Sequence, residues 1–186
     1  MNKVLETIQN RFSCRGYSDQ AVSAADIKAI VKAGLEAPTA NNKQPFKILV
    51  IADPEKIKAI NADVLAYFKS LPDQKYYEQT VARGGSAYYN APLLFVVVKE
   101  KDNEAATLDA GIVVQNMALA ASALGLDNVI AAMLATPFTG QNADAMKKLV
   151  SWPDGYEFGV GLLVGYGVEE GKKPPHDIDW DKVIGL

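Results

Sequence analysis

Six consecutive apolar residues, Leu93-Leu94-Phe95-Val96-Val97-Val98, constrain this chain more than any other feature. The run is almost wholly β-favouring, has the length of a strand and lacks alternating polar positions, so it reads as a strand buried in a core. It is far too short to span a bilayer, as is the second apolar stretch at 129–135.

Around it, helical and strand periodicities alternate. Val4, Leu5, Ile8 and Phe12 share one face of a helix over 1–11. Ser23 and Asp26 resemble a capping box, opening a helix with Ile27, Ile30, Val31, Gly34 and Leu35 inward, which ends before Pro38. A strand follows at 46–52. Asp53-Pro54 then starts a helix carrying Ile57, Ile60, Val64 and Phe68 on one side. Residues 71–90 read as helix plus loop, and 92–99 as the buried strand. The longest helical pattern, 102–124, stops at Gly125. A strand at 128–135, a short helix at 142–150 and a last strand at 158–166 complete the series. In the tail, 167–186, Trp180, Val183 and Ile184 call for a partner surface. Periodicity alone suggests a doubly wound α/β sheet, with strand direction open.

The chain's 186 residues fit one domain, 1–186, large enough to fold without staples. Hydrophobic residues at 49% with 22% charged describe a soluble globular protein. Residues 1–10 alternate polar and apolar positions and lack the apolar run of a signal peptide. One cysteine, Cys14, excludes an internal disulfide framework and suits a reducing, cytoplasmic setting. A net charge of −3 argues against a general nucleic-acid binder. Of 19 cationic side chains only Arg11, Arg15 and Arg83 are arginine, and two of these stand close together. Arginine's planar fork matches phosphate, so the pair directs attention to an anionic ligand.

Several familiar motifs fail. Gly159, Gly161, Gly165 and Gly167 imitate a dinucleotide fingerprint, but they sit within a strand pattern with no helix opening after them. Asp177, Asp179 and Asp181 begin like a calcium loop, yet Lys182 stands where glycine is needed. Cys14 and His176 cannot supply a zinc ligand set. No phosphate-cradling P-loop or Ser-His-Asp signature occurs. This scarcity of reactive side chains points to a binding protein, or to an enzyme whose cofactor carries the chemistry.

Two segments carry the case. In Arg11-Phe12-Ser13-Cys14-Arg15, an extended backbone would turn two cations and a hydroxyl to one side, with Phe12 and Cys14 toward the core. The other reading is a helix end with its arginines near the C-terminus, where the dipole favours them. The loop Ala37-Pro38-Thr39-Ala40-Asn41-Asn42-Lys43-Gln44-Pro45 is rich in neutral donors and acceptors, suited to a uracil-like ring edge or simply to a capped turn.

Taken in order, these segments resemble the nitroreductase family. Asn90-Ala91-Pro92, Asp109-Ala110-Gly111, Gln115-Asn116-Met117, Ala123-Leu124-Gly125-Leu126 and Gly165-Tyr166 extend the resemblance over nearly the whole chain. It implies an α+β fold with a mixed, mainly antiparallel central sheet flanked by helices, in place of the doubly wound arrangement. It also implies a homodimer, with a C-terminal tail and FMN at the interface. By the same resemblance Arg11, Ser13 and Arg15 hold the phosphate and ribityl end. Pro38, Thr39, Ala40 and Asn42 come from the other subunit to flank the ring, with Gln44 matching the motif. Ile130, Ala131 and Ala132 lie under the flavin, the backbone N–H of Ala131 pointing at N5. Where the family commonly has glycine, Ala131 and Ala132 narrow the acceptor pocket. Lys173, and less directly His176, stand where the family supplies a basic residue to the phosphate.

The implied activity is hydride transfer from NAD(P)H through FMN to a nitroaromatic, quinone or similar small flat acceptor. A relative working in flavin reduction, enoate reduction or reductive dehalogenation shares these features, as does an FMN carrier or sensor without turnover. The candidate lid is 65–90, where Tyr76, Tyr77, Tyr88 and Tyr89 either stack on acceptors or pack.

Overall fold

The computed structural model describes residues 2–168 and 178–185. Among them, four strands form one sheet in the order β1-β2-β4-β3: β1 is Phe46–Ile51, β2 Leu93–Glu100, β3 Asp127–Ile130 and β4 Tyr156–Gly165. Every strand pairing is antiparallel, and one isolated parallel bridge joins Ser13 to Asn128. The doubly wound arrangement suggested by periodicity is thus corrected and the open question of strand direction settled as antiparallel, because helical segments fall between antiparallel neighbours.

The apolar run is β2, and its alternate side chains enter two separate cores. Leu94, Val96 and Val98 face one layer with Ile60, Val64, Phe138 and Leu163. Leu93, Phe95 and Val97 face the other, with Ile30, Val113, Met117 and Ala121. Helix α2 (Ala24–Leu35) and α5 (Ala105–Ala123) cover the second face; α3 (Pro54–Ser70) and the turn at Ala132–Ala135 serve the first.

Local chemistry sets the element ends. The Ser23 hydroxyl accepts the Asp26 N–H at 3.1 Å and donates to the Asp26 carboxylate at 2.7 Å, a capping arrangement worth about 1 kcal/mol. The Asp53 side chain caps α3 on the Glu55 N–H, with Pro54 at the first position. Gly125 ends α5 at φ 80°.

Three expectations need correction. Leu35 is exposed, since α2 turns only Ile30 and Gly34 fully inward. The predicted strand 128–135 stops at Ile130; Ala132–Ala135 is a 3-10 turn, followed by the short α6 (Thr136–Thr139). Alanine, methionine and leucine there are helix formers, and Ala131 already gives its N–H to Gly161. Finally, α1 (Lys3–Asn10) turns Val4, Leu5 and Ile8 to solvent in the single chain. The remaining helices are α4 (Lys75–Ala82) and α7 (Ala143–Leu149). No helix among the described residues is long and apolar enough to cross a membrane.

Candidate functional site

Arg11 caps α1 with extended dihedrals (φ −62°, ψ 128°), and the chain stays extended along the outer edge of β3. The Cys14 N–H donates to Asn128 O at 3.0 Å, and the Tyr17 hydroxyl donates to Cys14 O at 3.1 Å. Both readings of this segment hold in part: a helix ends here, and an extended strip begins. Cys14 is completely buried and Arg15 exposed; Arg11, Phe12 and Ser13 between α1 and Cys14 are all half-buried, with Phe12 packed against the core. An Arg15 guanidinium N–H donates to Ser13 O at 3.2 Å.

Asn128 makes this edge possible. Its buried amide donates to Ala118 O and to the Ser122 hydroxyl, each at 3.0 Å, tying β3 to α5. The sequence signal was a polar Asn among Leu126, Val129 and Ile130.

Further along the same edge, Ile130 and Ala132 are exposed while Ala131 is buried. The Ala131 N–H donates to Gly161 O at 2.9 Å and is therefore not available to a ligand, which corrects the expected donor. The first bond of the 3-10 turn runs from the Leu134 N–H to Ala131 O. The Ala132 and Met133 N–H groups lie ahead of it and have no acceptor within the turn. This turn can lie flat on β4 only because residue 161 is glycine: a Cβ there would come within 2.7 Å of Leu134.

The Asn-rich loop is braced and strained. Asn41, Asn42 and Gln44 all adopt left-handed dihedrals, with φ of 54°, 54° and 49°. The Thr39 hydroxyl accepts the Gln44 N–H at 3.0 Å, and the Gln44 amide donates to Asn42 Oδ1 at 3.2 Å. The Ala40 N–H donates to Oδ1 of buried Asp109 at 3.2 Å. Gln44 thus gains a contact of its own, which orients the Asn42 side chain. Pro38, Ala40, Asn41 and Asn42 are exposed and Thr39 half-buried.

The two segments do not meet within one chain. The loop leads into Phe46, which pairs with Lys99, itself opposite Glu157 at the start of β4. Ser13 pairs with Asn128, opposite Val164 near the end of β4. Four strand spacings, counting the strip outside β3, and about seven residues separate the two segments, roughly 25–30 Å along the diagonal.

In the candidate lid, Tyr88 is fully buried; burial, and next the Asp63 carboxylate, push its hydroxyl well above the ordinary tyrosine range. Tyr77 and Tyr89 pack against the core, leaving Tyr76 exposed beside Phe68 at 6.0 Å between ring centroids. Asn61 ties this region to α3, donating to Gly85 O at 3.1 Å and accepting the Ala87 N–H at 2.8 Å. Lys173 and His176 lie outside the described residues.

The donor set fits a flavin mononucleotide. Two guanidinium groups and a hydroxyl on one extended strip suit a phosphate, and uncommitted N–H groups at the head of the 3-10 turn suit ring acceptors. A glycine-made recess holds that turn in place.

Comparison with known proteins agrees. A model of the Nitroreductase family matches residues 8–166. The chain is 28% identical to the FMN reductase (NADPH) of Bacillus subtilis strain 168 over 94% of this chain and 70% of that protein. A nitroreductase with bound FMN from Desulfitobacterium hafniense DCB-2 has a TM-score of 0.91 at 34% identity, covering 100% of this chain and 99% of that one. Another with bound FMN, from Bacteroides fragilis NCTC 9343, reaches 0.85 at 25% identity, covering 100% of both chains.

Proposed function

The chain belongs to the nitroreductase family, and from that membership we propose that it is a cytoplasmic, homodimeric, NAD(P)H-dependent FMN oxidoreductase. It acts, as a single domain, on nitroaromatics, quinones or similar small flat acceptors. When bound, FMN would supply the redox chemistry that links NAD(P)H to the acceptor.

The protein's part is binding and orientation. Arg11, Ser13 and Arg15 would hold the phosphate and ribityl end, and 130–132 would floor the ring. With the Ala131 N–H committed to Gly161, the Ala132 N–H would stand in for it toward the ring. Pro38, Thr39, Ala40 and Asn42 would flank the ring from the other subunit. Exposed Tyr76 offers a face for flat acceptors.

The observation that carries this reading is the shared edge of β3. Phosphate-type donors sit beside Asn128, and the 130–132 turn lies a few residues further along the same strand. The corner-to-corner separation of the Asn-rich loop supports two copies per site. So does the surface: Leu108 on α5 is 70% exposed, above a shallow groove of about 370 Å³ lined by Thr107, Gly111, Ile112, Gln115 and Asn116. Val4, Leu5 and Ile8 of α1 are exposed as well, further apolar side chains that a second copy would cover.

The test is spectroscopic. Purified protein should carry flavin bands near one per subunit that bleach when NADPH or NADH is added without oxygen. The double change Arg11→Ala with Arg15→Ala should abolish FMN retention and leave the dimer folded. Bands that persist after the nicotinamide is added would indicate a carrier or sensor. Unchanged flavin content in the double variant would overturn the phosphate assignment.

A further inference from the structure

Asp109 is 3% exposed on α5, and only one of its two carboxylate oxygens has a use within the described residues. Oδ1 accepts the Ala40 N–H, across 69 positions of sequence, while Oδ2 is buried without a donor. Leaving a buried carboxylate oxygen unpaired is costly, so stability alone is a poor reason for an aspartate here. What its one bond does hold is the opening of a loop with three left-handed, non-glycine residues. Such dihedrals persist only where their surroundings fix them. Thr39 and Gln44 brace the loop from within; Asp109 is the contact that fastens it to a rigid helix.

We infer that Asp109 is a positioning residue for the flavin site, and that it acts on the site of the partner subunit rather than on that of its own chain. The inference rests on the FMN reading above, which already gives the loop to the other subunit's site, and adds the role of Asp109 in setting that loop. Asp109 sets the pose of Pro38–Asn42, and this loop lies at the sheet corner diagonally opposite the Arg11–Arg15 strip of the same chain. The loop that Asp109 fixes therefore completes the site whose phosphate grip belongs to the other copy.

Mixed dimers separate the possibilities. One subunit carries Asp109→Ala and the other Arg11→Ala with Arg15→Ala, each with a different affinity tag, and heterodimers are isolated by tandem purification. Loop and grip contributed by different subunits leave one site with both defects and one with neither. The heterodimer should then bind one FMN per dimer with wild-type affinity by fluorescence quenching. Each parent homodimer should bind at least 10-fold more weakly. A heterodimer no better than its parents would overturn the action across subunits.

Asp109→Asn keeps an oxygen for the Ala40 N–H and should bind FMN within a few-fold of wild type. If it loses affinity like Asp109→Ala, the loop-bracing role is wrong. Trypsin cleavage after Lys43 in flavin-free protein gives a readout without cofactor: faster in Asp109→Ala, unchanged in Asp109→Asn. Equal rates in all three would also refute the brace. A wild-type chain that takes up no FMN would overturn this inference together with the function it rests on, whereas normal uptake with failed complementation overturns this one alone.

Discussion

Replacing Gly161 by alanine tests the floor of the site directly. A Cβ at this position would lie 2.7 Å from both Cβ and Cδ2 of Leu134, and 2.8 Å from the backbone oxygen of Ala131. A flexible side-chain end could swing away from such an approach, but a carbonyl oxygen and a Cβ cannot. Nor can the turn slide, because the Ala131 N–H is bonded to Gly161 O at 2.9 Å. On the unfolded side, alanine restricts the chain more than glycine and alone would stabilise by about 0.4–1 kcal/mol. Overpacking of a tight core contact costs about 1–3 kcal/mol and wins. Set against the alanine gain, the net loss is up to about 2.6 kcal/mol, which for a chain of this size is a fall of up to roughly 10 °C in melting temperature. Thermal and urea unfolding should be followed at fixed protein concentration, since a dimer's transition depends on it. The midpoint should fall with the urea slope unchanged, and FMN should dissociate more readily because 130–135 has moved. A variant that melts at or above the wild-type temperature would refute this account of how the turn sits on β4.

Tyr88→Phe tests the buried hydroxyl. Its folded-state value is raised, so wild-type stability is complete below the ordinary tyrosine value of about 10 and falls above it, by up to about 1.4 kcal/mol per pH unit. Phenylalanine removes that component: urea melts should show a gain of about 1 kcal/mol at pH 8 and a larger one at pH 11, and parallel pH profiles would contradict it. Leu108→Glu tests the dimer face. At 70% exposure it should change the stability of the isolated subunit by less than about 0.5 kcal/mol. Sedimentation should show the wild type as a dimer and the variant as a folded monomer with little flavin; a dimeric variant would move the interface elsewhere.

Local signals in the sequence announced most elements. Ser23 with Asp26, Asp53-Pro54 and Gly125 marked helix ends through bonds that involve only neighbouring residues. The run 93–98 announced the central strand because burial on both faces removes polar positions. The break after Ile130 was not legible, since the turn packs into space left by Gly161, thirty-one positions away, against Leu134. Leu35 and the α1 stripe misled for a related reason: periodicity reports that a face is apolar, not which surface will cover it. Sheet direction came from ordered motifs rather than from periodicity.

In the candidate site the inward Cys14 beside an outward Arg15 was readable, because alternation along an extended backbone is a local rule. The fastening of Ala40 by Asp109 was not: its partners are 69 positions apart, and an aspartate in a helix ordinarily reads as a solvated residue.

The diagonal placement of the strip and the loop has a consequence for how such a sequence changes over generations. Positions near Asn42 and positions near Ser13 would adapt to one another through a ligand they share only between copies. Their substitutions should therefore be correlated although roughly 25–30 Å of sheet separates them in a single subunit. A map of residue contacts inferred from such correlations would contain pairs that no single chain can satisfy. Those pairs would form a docking restraint for the assembled protein, written into one gene.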